Sequence, residues 1–98
     1  MDLQAPTKAV LRRDILRAID ASRPVALSET ILARALAGLP YEPTPRGLRR
    51  EVGYLQSKGL VQVRKDEACW VMELTALGVD VLEGTEPMPA GIAPPGDV

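Results

Sequence analysis

Apolar residues recur at helical spacing in three segments of this chain and at strand spacing in two others. Positions three or four residues apart predict helices over 8–22, 29–37 and 45–58. Two shorter runs, 60–64 and 68–74, predict strands joined by a polar turn. A short helix through Glu83 is expected to close the pattern. This mixture of helices with a hairpin indicates an α+β fold.

Residues at the segment ends support these boundaries. Helix N-caps need a side-chain oxygen that accepts a free backbone N–H. The expected caps are Thr7, Ser28, Thr44 and Thr75. Residues that end a helix follow each segment: Pro24, Gly38, Gly59 and Gly84. Between the first two helices, residues 25–27 have room for a strand of only three residues.

The chain of 98 residues has room for one small domain. Residues 1–6 are interpreted as a flexible leader, and 7–84 as the folded domain. Residues 85–98 contain four prolines, two glycines and no periodic apolar pattern. That composition predicts a disordered tail.

Segment 45–58 is the most informative helix, because its two faces differ in chemistry. On a helical wheel, Leu48, Val52 and Leu55 form one stripe, which is predicted to face the core. The opposite face carries Arg46, Arg50, Gly53 and Ser57, with Arg49 on its flank. Guanidinium groups can pair with phosphate or with guanine N7 and O6, so this face favours contact with DNA. A solvated surface without a partner is the simpler alternative.

Charge along the chain is compatible with such a face. The formal net charge is −1, but all twelve Lys and Arg residues lie in 1–84, against eleven acids. Residues 45–58 contain four basic residues and one acid, Glu51. A basic face on a nearly neutral body permits DNA binding, with weaker nonspecific affinity than a strongly basic protein would have.

Other residues in and near the hairpin have simple structural explanations. Trp70 alternates with Met72 and Leu74, so the three are expected on the core side of the second strand. Cys69 is expected to be an inert side chain. At the hairpin tip, Asp66 and Glu67 offset the charge of the neighbouring basic residues.

Two motifs resemble those of winged helix-turn-helix regulators. One, Leu-x-x-x-Gly-Leu-Val, joins the recognition helix to the wing and is matched by Leu55, Gly59, Leu60 and Val61. The other, Leu-Thr-x-x-Gly-x-x-x-Leu, is matched by Leu74, Thr75, Gly78 and Leu82. The chain looks most like small winged-helix proteins of Mu-like prophages, over residues 8–84. This implies a three-helix core, an antiparallel wing of two to three strands and a short C-terminal helix.

The resemblance and the basic face together make double-stranded DNA the expected partner and transcriptional regulation in a phage or prophage the expected function. Helix 45–58 would lie in the major groove. The expected DNA contacts are Thr44, Arg46, Arg49, Arg50, Ser57, Lys58, Arg64 and Lys65. A homodimer would bind two half-sites. The alternative is a phage protein-interaction adaptor with the same fold, no DNA binding and an acidic protein partner.

Other functional classes find little support in the sequence. The chain has no histidine, no Cys-x-x-Cys pair and no glycine-rich phosphate loop, so no catalytic residues, metal or cofactor are expected. One cysteine excludes an intramolecular disulfide and suits a reducing compartment. No apolar run approaches the ~20 residues of a membrane span, and no signal peptide is evident. A cytoplasmic location without membrane contact is therefore expected.

Overall fold

The computed structural model describes residues 4–66 and 68–95, and this part of the chain forms an α+β fold. It contains four helices and one three-stranded antiparallel sheet. In chain order the elements are α1 (Gln4–Ser22), β1 (Leu27–Ser28), α2 (Glu29–Leu36), α3 (Pro45–Ser57), β2 (Val61–Lys65), β3 (Trp70–Leu74) and α4 (Ala76–Glu83). The α+β class predicted from the sequence is confirmed.

Three of the predicted caps are in place. Each side-chain oxygen accepts the backbone N–H three residues later, at 3.2 Å from Ser28 to Ile31 and 3.0 Å from Thr44 to Gly47. Thr75 caps α4 in the same way. Because capping depends only on neighbouring residues, it could be predicted without knowledge of the fold.

The sheet has the order β1-β3-β2, so β3 is the central strand. Met72 of β3 pairs with Leu27 on one side and Val63 on the other. The strand predicted over 25–27 is therefore displaced to Leu27–Ser28. The reason is that the N–H of Val25 donates to Ser22 in a turn and is not available to a strand.

The core lies between the long helices and one face of the sheet. Its centre is aliphatic and fully enclosed, with the largest buried side chains Ile15, Leu16, Ile19, Leu32, Leu55, Leu60 and Met72. The predicted stripe of α3, Leu48, Val52 and Leu55, is buried and belongs to this cluster. Helix α3 is therefore fixed with its other face turned outward.

Helix α1 begins at Gln4, earlier than predicted, and Thr7 lies within the helix and not at its cap. A proline in the first turn is tolerated, since its missing N–H would have no partner there. Pro6 thus does not end a leader, and residues 4–6 belong to α1. The rest of the predicted leader, residues 1–3, lies outside the described residues.

The segment after α4 differs from the prediction of a disordered tail. Residues 85–95 fold back over the domain, and Ile92 is buried in the core at 6 % exposure. The N–H of Ala93 donates to the carbonyl oxygen of Ala9 in α1 at 3.0 Å. This proline-rich segment contains two apolar side chains, Ile92 and the partly buried Met88, that pack with the core. The last residues of the predicted tail, 96–98, lie outside the described part of the chain.

Candidate functional site

Helix α3 presents two arginines outward from a firmly held backbone. The side chain of Thr44 caps the helix, and Pro45 supplies a helical φ at its first position. Arg46 and Arg50, one turn apart, are both exposed. Neither guanidinium group makes a hydrogen bond or an ion pair with any residue that the structure describes. These guanidinium groups are available to an external anion.

The same face is open at Gly53 and occupied at Ser57. A Cβ atom built at Gly53 would meet nothing within 4 Å, so this position permits close approach of another molecule. The hydroxyl of Ser57 donates to the carbonyl oxygen of Tyr54 at 2.6 Å. Because that proton is engaged within the helix, Ser57 presents an acceptor and not a donor to an outside phosphate.

The one acid of α3 is not part of the exposed face. Glu51 is 5 % exposed and accepts a hydrogen bond from Arg12 Nε at 2.6 Å. In the sequence, Glu51 offsets one of the four basic residues of its segment. The structure shows that its charge is instead balanced inside the domain by α1. The outward face of α3 consequently carries no carboxylate.

Arg49, on the flank of α3, is engaged by α2. Its Nε and Nη2 atoms donate to the carboxylate of Glu29 at 2.8 and 2.5 Å. These hydrogen bonds lower the pKa of Glu29 below its usual value and raise the pKa of Arg49. Arg49 thus differs from Arg46 and Arg50, because its charge is already paired.

Trp70 lies beside this pair and receives a second cation. The guanidinium of Arg49 and the Nζ atom of Lys65 each lie 4.9 Å from the indole centroid. Lys65 is also the cross-strand partner of Trp70. The tryptophan packs against the core as predicted, but it is only half-buried because its ring supports two cationic side chains. The contacts of Trp70 with Arg49 and Lys65 join α3 to both strands of the hairpin.

The remaining basic residues expected at the site make weaker contacts. Lys58 is exposed, with Nζ 5.4 Å from the ring centroid of Tyr54. In the hairpin, Arg64 Nε lies 3.4 Å from Asp66, so the predicted charge cancellation is observed for that acid. The other acid of the tip, Glu67, lies outside the described residues.

A groove of 700 Å³ opens beside these residues, between α2, α3 and the hairpin. We call it the arginine-rimmed groove. Its lining consists of small or apolar residues with three arginines and an acid: Glu29, Thr30, Ala33, Arg34, Ala37, Pro45, Arg46, Leu48, Arg49, Ala68 and Cys69. Arg46 and Arg49 were predicted as site residues from the sequence, but Arg34 and the groove itself were not.

A signal for Arg34 was present but weak. Thr30, Ala33 and Ala37 share the spacing of one helical face, which leaves a shallow surface of small side chains. Arg34 lies beside them and is exposed. Small residues on an exposed helix face are common, so only the approach of α3 and the hairpin gives this face a second and third wall.

No group of three or more potential metal-ligating side chains occurs among the described residues. Cys69 is a free, half-buried thiol. Within residues 4–66 and 68–95, no helix is both long and apolar enough to cross a membrane. The chemistry that remains prominent is the arginine face of α3 and the groove beside it.

Comparisons with known protein families, with curated proteins and with solved structures found no match to this chain.

Proposed function

We propose that this chain is a DNA-binding winged-helix protein, a transcriptional regulator of phage or prophage origin. The element order α1-β1-α2-α3-β2-β3 and the sheet order β1-β3-β2 support the winged-helix assignment. In this arrangement α3 is the recognition helix and the β2–β3 hairpin is the wing. The phage origin is supported only by the sequence motifs.

The observation that carries the proposal is the outward, unpaired state of Arg46 and Arg50. The two guanidinium groups lie one helical turn apart, and the same face carries no carboxylate. This arrangement suits a polyanionic partner. In the major groove, a guanidinium can donate two hydrogen bonds to guanine or contact a phosphate. Gly53 lies between Arg50 and the C-terminal turn of α3. Because it has no side chain, the sugar-phosphate backbone of DNA could approach the helix closely there.

Other residues would supply weaker contacts. The hydroxyl of Thr44 accepts the cap hydrogen bond, so its own proton remains available to a phosphate. Lys58 and Lys65 are exposed cations at the end of α3 and in the wing. Arg49 and Arg64 each have an internal carboxylate partner, so they would contribute less to DNA affinity than the two unpaired arginines.

Titration of a random-sequence DNA duplex at several salt concentrations, followed by fluorescence anisotropy, tests this proposal. DNA affinity should fall steeply with salt, since bound phosphates release counterions. Arg46→Ala and Arg50→Ala should each weaken binding and reduce the salt slope by about one unit where a phosphate contact is lost. Arg17→Ala is the matched control, because Arg17 is an exposed arginine of α1. Its affinity and slope should equal those of the parent.

A protein-interaction adaptor remains the second candidate. The observation that favours it is the pairing of Arg64 with Asp66 in the wing, which leaves that element with little net charge for DNA. In this case Arg46 and Arg50 would bind an acidic protein surface. Absence of DNA association at low salt would reject the DNA proposal and favour the adaptor. If the parent binds DNA and both arginine variants bind equally well, α3 is not the contact surface.

Oligomeric state bears on the same proposal. Two copies related by a twofold axis would place their recognition helices in successive major grooves, about 34 Å apart. Sedimentation of the chain alone and on a duplex with two half-sites distinguishes a preformed dimer, assembly on DNA and a monomer.

A further inference from the structure

The arginine-rimmed groove combines an apolar lining with excess positive charge. Ala33 of α2 and Ala37, directly after that helix, line the groove together with Pro45 and Leu48 of α3. Ala68 and Cys69 close the third side from the hairpin. These side chains offer apolar surface, and their small size leaves a volume in the range of small-molecule sites, roughly 300–1,000 Å³.

Charge within the groove is unbalanced. Three arginines line it, but its one acid, Glu29, is committed to Arg49. The guanidinium groups of Arg34 and Arg46 make no hydrogen bond or ion pair with any residue in the described part of the chain. A ligand that fills the groove would therefore meet apolar carbon in the interior and unpaired guanidinium groups at the rim.

We propose that the groove binds a small organic carboxylate with an aliphatic or aromatic body. The body would displace water from Ala33, Ala37 and Pro45, and the carboxylate would accept charge-assisted hydrogen bonds from both Arg34 and Arg46. A planar guanidinium fork matches the two oxygens of a carboxylate better than it matches a neutral group. The charge complementarity and the groove volume select this class of ligand.

Such a ligand would regulate the proposed function, and this part of the inference depends on that function. Arg46 belongs both to the groove and to the outward face of α3. A carboxylate held by Arg46 would remove one of the two unpaired guanidinium groups and add negative charge where DNA phosphate would lie. The ligand and DNA should therefore compete.

Ligand binding is tested first without DNA. Naphthalene-2-carboxylate and octanoate are titrated into the full chain, with naphthalene-2-carboxamide as the neutral counterpart. Binding is followed by amide chemical shifts and by the fluorescence of the one tryptophan, which contacts Arg49. The carboxylates should change the backbone N–H chemical shifts of residues in α2, α3 and the hairpin. Naphthalene-2-carboxamide should bind about tenfold more weakly than naphthalene-2-carboxylate.

Substitutions locate the site. Arg34→Ala should weaken binding of the carboxylates about tenfold, since the charge-assisted contact is lost. The affinity for naphthalene-2-carboxamide should stay the same. Ala33→Leu should fill the groove and weaken the binding of the carboxylates and of the carboxamide alike. Ala35→Leu is its matched control, because Ala35 is exposed on the same helix and does not line the groove. Backbone N–H chemical shifts that are unchanged away from the substituted residue show that each variant is folded.

Several results would overturn the inference. One is the absence of chemical-shift changes at the groove with either carboxylate at millimolar concentration. Another is equal affinity for naphthalene-2-carboxylate and naphthalene-2-carboxamide. A third is an equal change in affinity in Ala33→Leu and Ala35→Leu. Tighter binding of an acidic leucine-rich peptide would assign the groove to a protein partner. Self-association abolished by Ala33→Leu would assign it to a second copy of this chain.

Competition with DNA separates this inference from the proposed function. Octanoate binding without any DNA binding would reject the function and retain the ligand site. DNA binding that octanoate does not weaken, at concentrations that saturate the groove, would reject the regulatory part of the inference.

Discussion

Arg49 and Glu29 form a two-point ion pair that joins α3 to α2, and the same carboxylate accepts the backbone N–H of Trp70 at 2.9 Å. One side chain thus connects two helices and the central strand. Because Glu29 and Arg49 both line the arginine-rimmed groove, the pair links two of its walls. It removes Arg49 from the set of free cations and leaves Arg46 and Arg50 as the distinctive charges of α3.

The Glu29–Arg49 pair should make stability depend on pH in the acidic range. Since the folded pKa of Glu29 lies below its ordinary value of 4.5, the pair stabilises the fold above that pH, and its contribution is lost as pH falls through the folded pKa. Glu29→Gln should be less stable than the parent at neutral pH, and the difference should diminish as the pH falls below the ordinary pKa of the carboxyl group. Urea unfolding at a series of pH values measures this. Glu83→Gln, an exposed control, should follow the parent throughout.

Removal of Arg12 should destabilise the domain strongly. Its partner Glu51 has a side chain only 7 % exposed, and a buried carboxylate that loses its partner costs about 3 kcal/mol. Arg12→Ala should show this loss in urea unfolding, whereas Arg17→Ala should stay within about 0.5 kcal/mol of the parent. Replacing both partners, as Arg12→Met with Glu51→Leu, should recover most of the stability. A cost below about 1 kcal/mol for Arg12→Ala would contradict the buried pair.

The C-terminal segment should contribute to stability. Ile92 is buried in the core, so Ile92→Ala should cost about 2 kcal/mol. Val25→Ala is the control: Val25 is 68 % exposed and its truncation should have little effect. Hydrogen exchange should also show protection of the Ala93 N–H, which donates to α1. An unprotected Ala93 together with a neutral Ile92→Ala would mean that this segment does not pack in solution.

Tyr54 and Arg12 hold that segment at its turn. Tyr54 donates its hydroxyl to Ala90 at 3.1 Å, and Arg12 Nη1 donates to the carbonyl oxygen of Gly91 at 2.9 Å. Gly91 has a φ of +92°, and a Cβ atom there would lie 2.5 Å from the Tyr54 hydroxyl oxygen. The positive φ favours glycine, and a Cβ atom would also force the side chain of Tyr54 to shift.

Two glycines of the domain should respond in opposite ways to alanine. At Gly53, an added methyl group meets no neighbour and favours the helix, so Gly53→Ala should stabilise the fold by up to about 1 kcal/mol. At Gly78, the Cβ atom would lie 2.2 Å from the backbone oxygen of Leu60, and Gly78→Ala should cost about 2 kcal/mol. Thermal unfolding measures both effects. In the DNA titration, Gly53→Ala should bind more weakly than the parent despite its higher stability, because the methyl group lies on the proposed contact face.

The sequence alone determined the parts of this protein that depend on near neighbours. Caps at Ser28, Thr44 and Thr75, the apolar stripe of α3 and the hairpin follow from spacing and side-chain chemistry within a few residues. The outward direction of Arg46 and Arg50 follows as well, since it is fixed once the opposite stripe is buried.

Only the tertiary structure decided which charges are free and where the groove lies. Glu51 meets a partner 39 positions away in Arg12, and Arg49 meets one 20 positions away in Glu29. Whether a charge is paired or open to a ligand depends on such distant partners, which a local pattern does not contain. The packing of Ile92 on the core and the approach of three elements around Ala33 have the same origin: burial energy is gained only after remote segments meet.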